Sequence, residues 1–441
     1  MHAFFENIMK KQHRSDLLVA LFIAAYTIVV FAIIRFKISH FLLQSGDTAV
    51  AEQALWNTIH GDLFRQSFLD NQNNLREHLN FIQFLYLPFY AALPSVLTLY
   101  AIIQSSYGIA AYALYRHAKS SLGSISAFLV ALFFLFNPIV ILTNISAMHV
   151  VAVGAPLFLG CLIFYEKKHY LPWLIFMLLT VFTTEFIAPT IFALGVLAMI
   201  EKRSWKWFLP PILSSAFMYF LSVSFITIGF AKNDAIIQSF DPENLKKNNL
   251  TGRLALIEEF FRPLLYVIPF FSRFILLLGP TLLLTIFVVN KSRLASGSHL
   301  FTLVPVILSF VLLDILRRTE GRWRQTVFAL AAIGTIAAIP IYNDKLELSP
   351  NKRLPQMERA TTIVPADASV TVSRLMSYHF SHRSEMYLTD NQKYTDYIVL
   401  NTSFYDSKPK DSDYIRSVFS SPEYEKVMDE NDIVVFAKKK L

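Results

Sequence analysis

Cysteine is all but missing from this 441-residue sequence. Cys161 is the only one, so no disulfide can form within the chain and no cysteine-based zinc site can be built. Charge is scarce as well. Lys, Arg, Asp and Glu make up 16% of the residues, against roughly 25% in soluble domains. That excludes a disordered chain and an ordinary soluble enzyme. Only 13 glycines occur, and they form neither a phosphate-binding loop nor an internal repeat. What is there instead is apolar: 54% hydrophobic residues, 40 phenylalanines and a mean hydropathy of +0.44. This composition predicts a polytopic membrane protein rather than the ~3 soluble domains that length alone suggests.

The net charge of +8 lies wholly in residues 1–344, while 345–441 are neutral. A basic excess confined to the apolar part is read as positive-inside loops, not as a nucleic-acid surface. The first apolar run, Leu17–Ile34, follows Lys10, Lys11 and Arg14. No small-residue cleavage site is evident, so it reads as an uncleaved helix with a cytoplasmic N-terminus. Nine further runs, between 96 and 341, bring the expectation to about ten spans. Threading them alternately places Arg116, Lys119, Lys167, Lys168, Lys202, Arg203, Lys206, Lys291 and Arg293 on the cytoplasmic side. The same alternation places 37–95, 142–149, 231–265, the Glu185 junction and 317–324 outside.

The first outer loop, 37–95, is unusually long. It holds a helical pattern from Asp47 to Trp56, with Asp47 near the N-cap, and a short apolar stretch, Phe81–Leu93, read as interfacial or re-entrant. Beyond residue 345 the composition turns soluble. Strand patterns at Ala368–Val372, Glu385–Leu388, Tyr397–Leu400 and Ile433–Ala437 alternate with helical stretches. The domain expectation is therefore a transmembrane part, 1–344, and a small soluble α/β domain, 345–441.

Ionisable residues at span ends need partners or water. Asp47 reads either as a helix cap or as a general base or ion ligand at the membrane surface. Glu52 lies five positions on, off the face that Asp47 occupies. Glu77 and His78, being adjacent, point about 100° apart on a helix. His149 opens an apolar segment, as an interfacial histidine or a ligand. Glu185 interrupts two apolar runs and needs a counter-group or a water-filled cavity. Arg317, Arg318 and Arg322 break the positive-inside pattern. They read as binders of a lipid phosphate, as snorkelling anchors, or as a sign that the topology differs there. The expectation is that Asp47, Glu52, Glu77, His78, His149 and Glu185 surround one outer-facing site.

Several stretches together resemble a known family. They are Asp47 to Trp56 with Asn57, His60 and Gly61; Glu77-His78-Leu79; Leu87-Pro88-Phe89-Tyr90; Phe136-Asn137-Pro138; His149; Thr184-Glu185; and, in the tail, Val364-Pro365-Ala366-Asp367 and Phe380-Ser381-His382-Arg383. The resemblance is to the prokaryotic membrane-protein family domain of unknown function 2079, and more broadly to GT-C glycosyltransferases. It implies a GT-C-like helical membrane fold in the cell membrane, with an outer active site. It also implies a polyprenyl-phosphate sugar as donor, a glycan or lipid acceptor, and a divalent cation, magnesium or manganese, as the candidate cofactor. Asp47, Glu52 and Glu185 become the candidate catalytic residues, and Glu77, His78, His149, Arg317, Arg318 and Arg322 the candidate substrate-binding ones. The chain departs from the pattern at Ala147, Val151 and Phe186, where acids are expected. A transporter or lipid flippase, and a degenerate assembly subunit, are the competing readings.

Overall fold

The computed structural model describes residues 2–43, 46–68, 73–76, 79–146, 149–227, 257–258, 262–264, 271–287, 301–338, 348–403 and 409–439. The helical part runs through α1 (His2–Ser39), α2 (Gly46–Ile59), α3 (Gln83–Ala92), α4 (Val96–Leu122), α5 (Ser124–Leu135), α6 (Pro138–Ile145), α7 (Gly154–Lys167), α8 (Tyr170–Val181), α9 (Ala188–Ile200), α10 (Trp205–Thr227), α11 (Gly279–Phe287), α12 (Val304–Arg318) and α13 (Gly321–Ala337). Among the described residues four helices are long and apolar enough to cross a bilayer: 14–39, 96–122, 150–167 and 205–224. A fifth is added if α5 and α6, bent by 53°, make one span.

Of the about ten spans expected, four or five are found among the described residues by length and composition. A spanning helix needs roughly 20 apolar residues, and several apolar runs prove to be shorter or broken helices. The bend between α5 and α6 falls at Asn137-Pro138. Pro138 lacks an N–H and restricts the residue before it, while the Asn137 side chain accepts from the Ile139 amide at 3.1 Å and starts a new helix. Glu185 opens a 3-10 turn, Glu185–Ile187, between α8 and α9, so the expected pair of short helices hinged there is present. Helix α12 is apolar for another reason: Val304–Leu316 is buried all round, inside protein rather than facing lipid.

The tail adds α14 (Leu354–Ile363), β1 (Val370–Val372), β2 (Met386–Leu388), β3 (Tyr397–Asn401), α15 (Pro409–Ser420), β4 (Tyr424–Glu430) and β5 (Ile433–Lys438). The five strands form one sheet in the order β2-β1-β3-β5-β4. β1 runs parallel to both its neighbours, and β3, β5 and β4 pair antiparallel. The β4–β5 hairpin turns at Asn431-Asp432, both with positive φ, as a tight two-residue turn demands. One face of the sheet packs on α15 through Ile398, Leu400, Ile415, Val418 and Phe436. The other, including Val370, Val372 and Val435, is continuous with the core of the helical part.

That continuity fixes which end of the bundle carries the tail. Tyr378 donates to the Ile38 carbonyl at 3.3 Å, and the His379 ring stacks on Phe41 at 3.9 Å. Ser67, in the loop after α2, donates to the Met386 carbonyl at 2.6 Å and accepts from its amide at 2.8 Å. It thereby covers edge strand β2, which would otherwise be free to pair with another chain. The tail thus sits on the C-terminal end of α1, together with the 37–95 loop. The boundary expected near residue 345 falls outside the described residues.

Burial against α1 pushes His379 down to about 4 from its usual 6.5. Folding therefore favours the neutral ring, whereas the undocked tail takes up a proton near 6.5. The stability of docking is fully present above about pH 6.5 and is lost as pH falls towards 4. Intrinsic amide exchange itself slows as pH falls, so the readout is the protection factor, and that of the β1 amides should drop across this window in the wild type. In His379→Phe, which keeps the stacking on Phe41 without a titratable group, it should change less with pH.

Candidate functional site

Helix α2 begins at Gly46, so Asp47 lies inside its first turn rather than before it, where the helix dipole favours a carboxylate. Its side chain is 68% exposed, and Oδ2 lies 3.9 Å from His149 Nε2. His149 precedes a 3-10 turn, Val150–Val153, that leads into α7. At that distance the two attract as an ion pair when the ring is protonated, and a small ligand group can come between them.

Glu52 behaves differently. Its carboxylate is 1% exposed and is held by three donors. Ser381 Oγ donates to Oε2 at 2.6 Å, and His382 Nε2 meets Oε1 at 2.9 Å. The Tyr90 hydroxyl reaches Oε1 at 3.4 Å. Burial and this carboxylate push the Tyr90 phenol well above its usual range, so it stays a donor. The next residue, Gln53, donates to Ser67 Oγ at 2.9 Å and to the Arg383 carbonyl at 3.1 Å. The α2 helix is thus clamped directly onto the tail.

Glu185 is also buried, and its Oε2 accepts from the Leu79 amide and from Thr184 Oγ1, each at 3.2 Å. The counter-group that a buried carboxylate requires is therefore partly backbone. Ten-residue α3 links the pieces. Tyr86 and Tyr90, one turn apart, face inward, the former donating to the Val150 carbonyl beside His149 and the latter to Glu52. Phe84, Leu85 and Phe89 point outward. Lys37, buried in the last turn of α1, donates to the Ile145 carbonyl at 2.8 Å.

Asp47, Glu52, His149 and Glu185 thus lie at one end of the bundle and form one connected set. Glu77 and His78 lie outside the described residues. Arg317 and Arg318 do not join them, which corrects the expectation for the arginine cluster. Arg317 Nη1 binds Glu166 Oε2 at 2.8 Å, and Glu166 also meets His117 at 2.6 Å and Arg273 at 3.0 Å. Arg318 pairs with Asp314 at 2.8 Å. Helix α1 enters this end, where Asp16 meets Lys119 and accepts from Tyr115 at 2.8 Å. From Asp16 to Lys37 the helix rises about 32 Å, the thickness of a bilayer core. Exposed Arg322, four residues past Arg318 in the first turn of α13, belongs to this opposite end too. The chain has already returned there by Arg273, which pairs with Glu201 at 2.7 Å.

Sequence reasoning assigned no catalytic or binding role to Ser381, His382, Tyr90 or Lys37. Glu52, Trp56 and His60 at i, i+4 and i+8 do announce one helix face. Nothing local announces that Ser381 arrives from 329 positions away.

The profile of the family described as "Predicted membrane protein (DUF2079)" matches residues 39–435. No curated protein matches the chain. Among solved structures it is similar to ArnT, a GT-C glycosyltransferase, from Cupriavidus metallidurans bound to undecaprenyl phosphate. The TM-score is 0.57 at 11% identity, over 95% of this chain and 97% of that one. ArnT from the same organism in the apo state gives 0.54 at 10% identity, with the same coverage. At such identity the likeness is one of fold: a helical bundle with a small C-terminal sheet, arranged as in ArnT.

The two donors on Glu185 set a stability test. Glu185→Ala strands a buried amide and a hydroxyl, at about 1–3 kcal/mol each. Glu185→Gln keeps an acceptor oxygen in place. Thermal unfolding in detergent should show the alanine variant clearly below the glutamine variant, and equal losses would mean that these two bonds do not hold the junction.

Proposed function

We propose, from the premise that this chain belongs to the DUF2079 family of predicted membrane proteins, that it transfers a sugar from a polyprenyl-phosphate donor to a glycan or lipid hydroxyl outside the cell membrane. One observation carries the reading: the fold shared with ArnT along 95% of the chain, in a structure of that protein bound to undecaprenyl phosphate. The exposed Asp47–His149 pair, at the bundle end that the tail covers, is the chemistry available to it.

An acceptor hydroxyl is a poor nucleophile at neutral pH, so a carboxylate must take its proton as the new bond forms. Asp47 is the base in this reading. It sits at a loop-to-helix junction that a lipid-borne sugar and a soluble acceptor can both reach. The acceptor oxygen attacks the anomeric carbon, its proton passes to Asp47, and the bonding pair leaves with the polyprenyl phosphate. One displacement inverts the anomeric centre. The arginines lie at the opposite end, and Lys37 on this side is buried on the Ile145 carbonyl. For magnesium or manganese, Asp47 and His149 offer two donors. Among the described residues no third His, Cys, Asp or Glu completes a metal-holding group. The steps above accordingly run through side chains alone.

Charge supports one assignment of sides. Lys119, Arg203, Arg273 and Arg317 gather at the end that α1 enters, which supports a cytoplasmic N-terminus and an outer tail and active site.

Sugar transfer from a polyprenyl-phosphate donor, assayed in membranes, tests the role of Asp47. Asp47→Asn should express normally and lose roughly 10²–10⁴ in rate. Wild-type transfer by that variant would leave Asp47 a dipole-stabilising residue only. Topology is tested separately by placing a thiol at exposed Glu425, since native Cys161 is buried. Glu425→Cys should react with an impermeant maleimide in intact cells, and reaction only after lysis would put the tail inside.

A further inference from the structure

The Glu52–His382 pair does more than fasten the tail. Fastening is already provided by Gln53, Ser67 and Met386, which exchange hydrogen bonds of 2.6–2.9 Å in buried positions. The His382 side chain remains 45% exposed while its partner is 1% exposed. When the ring is neutral, Nε2 carries the proton that it donates to Glu52, and Nδ1 keeps a free lone pair. Nδ1 makes no hydrogen bond among the described residues, since the contacts of this ring run through Nε2 to Glu52 and Tyr90. The buried carboxylate therefore fixes one tautomer and holds the acceptor nitrogen outward.

Beside it is an aromatic shelf. Trp56 lies one helical turn beyond Glu52 and is only partly buried. Its ring is within 16° of parallel to His382, with centroids 6.4 Å apart. No ring fits between them at that separation, so a ligand would lie on the Trp56 face that His60 does not cover, beside His382. His60 stacks on Trp56 at 3.9 Å and donates Nδ1–H to the Trp56 carbonyl at 2.7 Å, which stiffens the shelf. An electron-rich indole face attracts polarised C–H groups, and a neighbouring lone pair accepts O–H. The ligand that offers both within a few ångströms is a pyranose, with one C–H face and a rim of hydroxyls.

We propose that Trp56 and His382, with the imidazole oriented by Glu52, form a glycosyl-binding subsite to which the helical part and the tail each contribute one wall. The proposal rests on the sugar-transfer reading for its biological role, though not for its geometry. Trp56 supports the apolar face of the ring, and His382 Nδ1 accepts from one hydroxyl. Glu52 is a positioning residue and does not touch the sugar.

The test is saturation-transfer NMR of the full-length protein in detergent, using the methyl glycosides of glucose, mannose, galactose, N-acetylglucosamine and arabinose. At least one should receive saturation, strongest at ring C–H protons, and Trp56→Ala should abolish it. His382→Gln keeps a donor where Nε2 stood and so preserves the contact to Glu52, but it loses the Nδ1 acceptor. It should weaken binding roughly 5- to 15-fold, the worth of about one hydrogen bond, with tail amide exchange unchanged. Saturation of none of the five, or equal saturation in both variants, overturns the subsite. Transfer kinetics then tell the two sources of the sugar apart: a raised KM for the lipid donor in His382→Gln places the donor's sugar there, and a raised KM for the acceptor places the acceptor's. If Asp47→Asn abolishes transfer while His382→Gln leaves both KM values and glycoside binding untouched, the subsite falls and the function stands. If glycoside binding behaves as expected but no sugar is transferred, the function falls and the subsite stands.

Discussion

A carboxylate that is 1% exposed, as Glu52 is, must be matched by donors on nearly every side. Helix α2 cannot supply them, because its own amides are spent within the helix. They come from Tyr90 on α3 and from Ser381 and His382 in the tail. Burying one charge therefore joins three segments that the chain keeps far apart. The same requirement explains why the sheet is not self-contained: one of its faces and its β2 edge are finished by α1 and the first loop.

The opposite end obeys the same rule with a different result. Glu166 is 7% exposed and is met by His117, Arg273 and Arg317; Glu201 is met by Arg203 and Arg273. Arg203 also lies over the Tyr165 ring at 3.5 Å, beside Trp173 and Trp207, which suits a membrane interface. There the charges neutralise one another within the protein, and Arg317 is committed to Glu166 and His117 rather than offered to a ligand.

How much of this the residues announced depends on the range of the interaction concerned. The Glu185 break, four of the tail's five strands and the long first loop follow from local chemistry, and they were legible; the Pro138 break was not read, the run from 124 to 142 being taken as one span. Nor was β4, because its outward residues are charged and only the Asn431-Asp432 turn marks it. The arginine cluster was misplaced by parity: each span miscounted moves everything after it across the membrane, and Arg273 already stands with Arg317 on Glu166. The partners of Glu52 were illegible in principle. A hydrogen bond to a buried carboxylate that spans some 330 positions leaves no periodicity on either side.

The reactive end is therefore distinguished by incomplete compensation rather than by the number of its charges. Glu166 and Glu201 have their full complement of cations. Asp47 has one histidine at 3.9 Å and remains 68% exposed, and His382 turns one nitrogen outward because a buried carboxylate holds the other. A group that folding leaves partly unmatched keeps free energy that a ligand can still gain by binding it. In a chain with so few charges, such groups gathered at one end, beneath a tail that supplies half of one pair, are what the proposed sugar-transfer reading draws on.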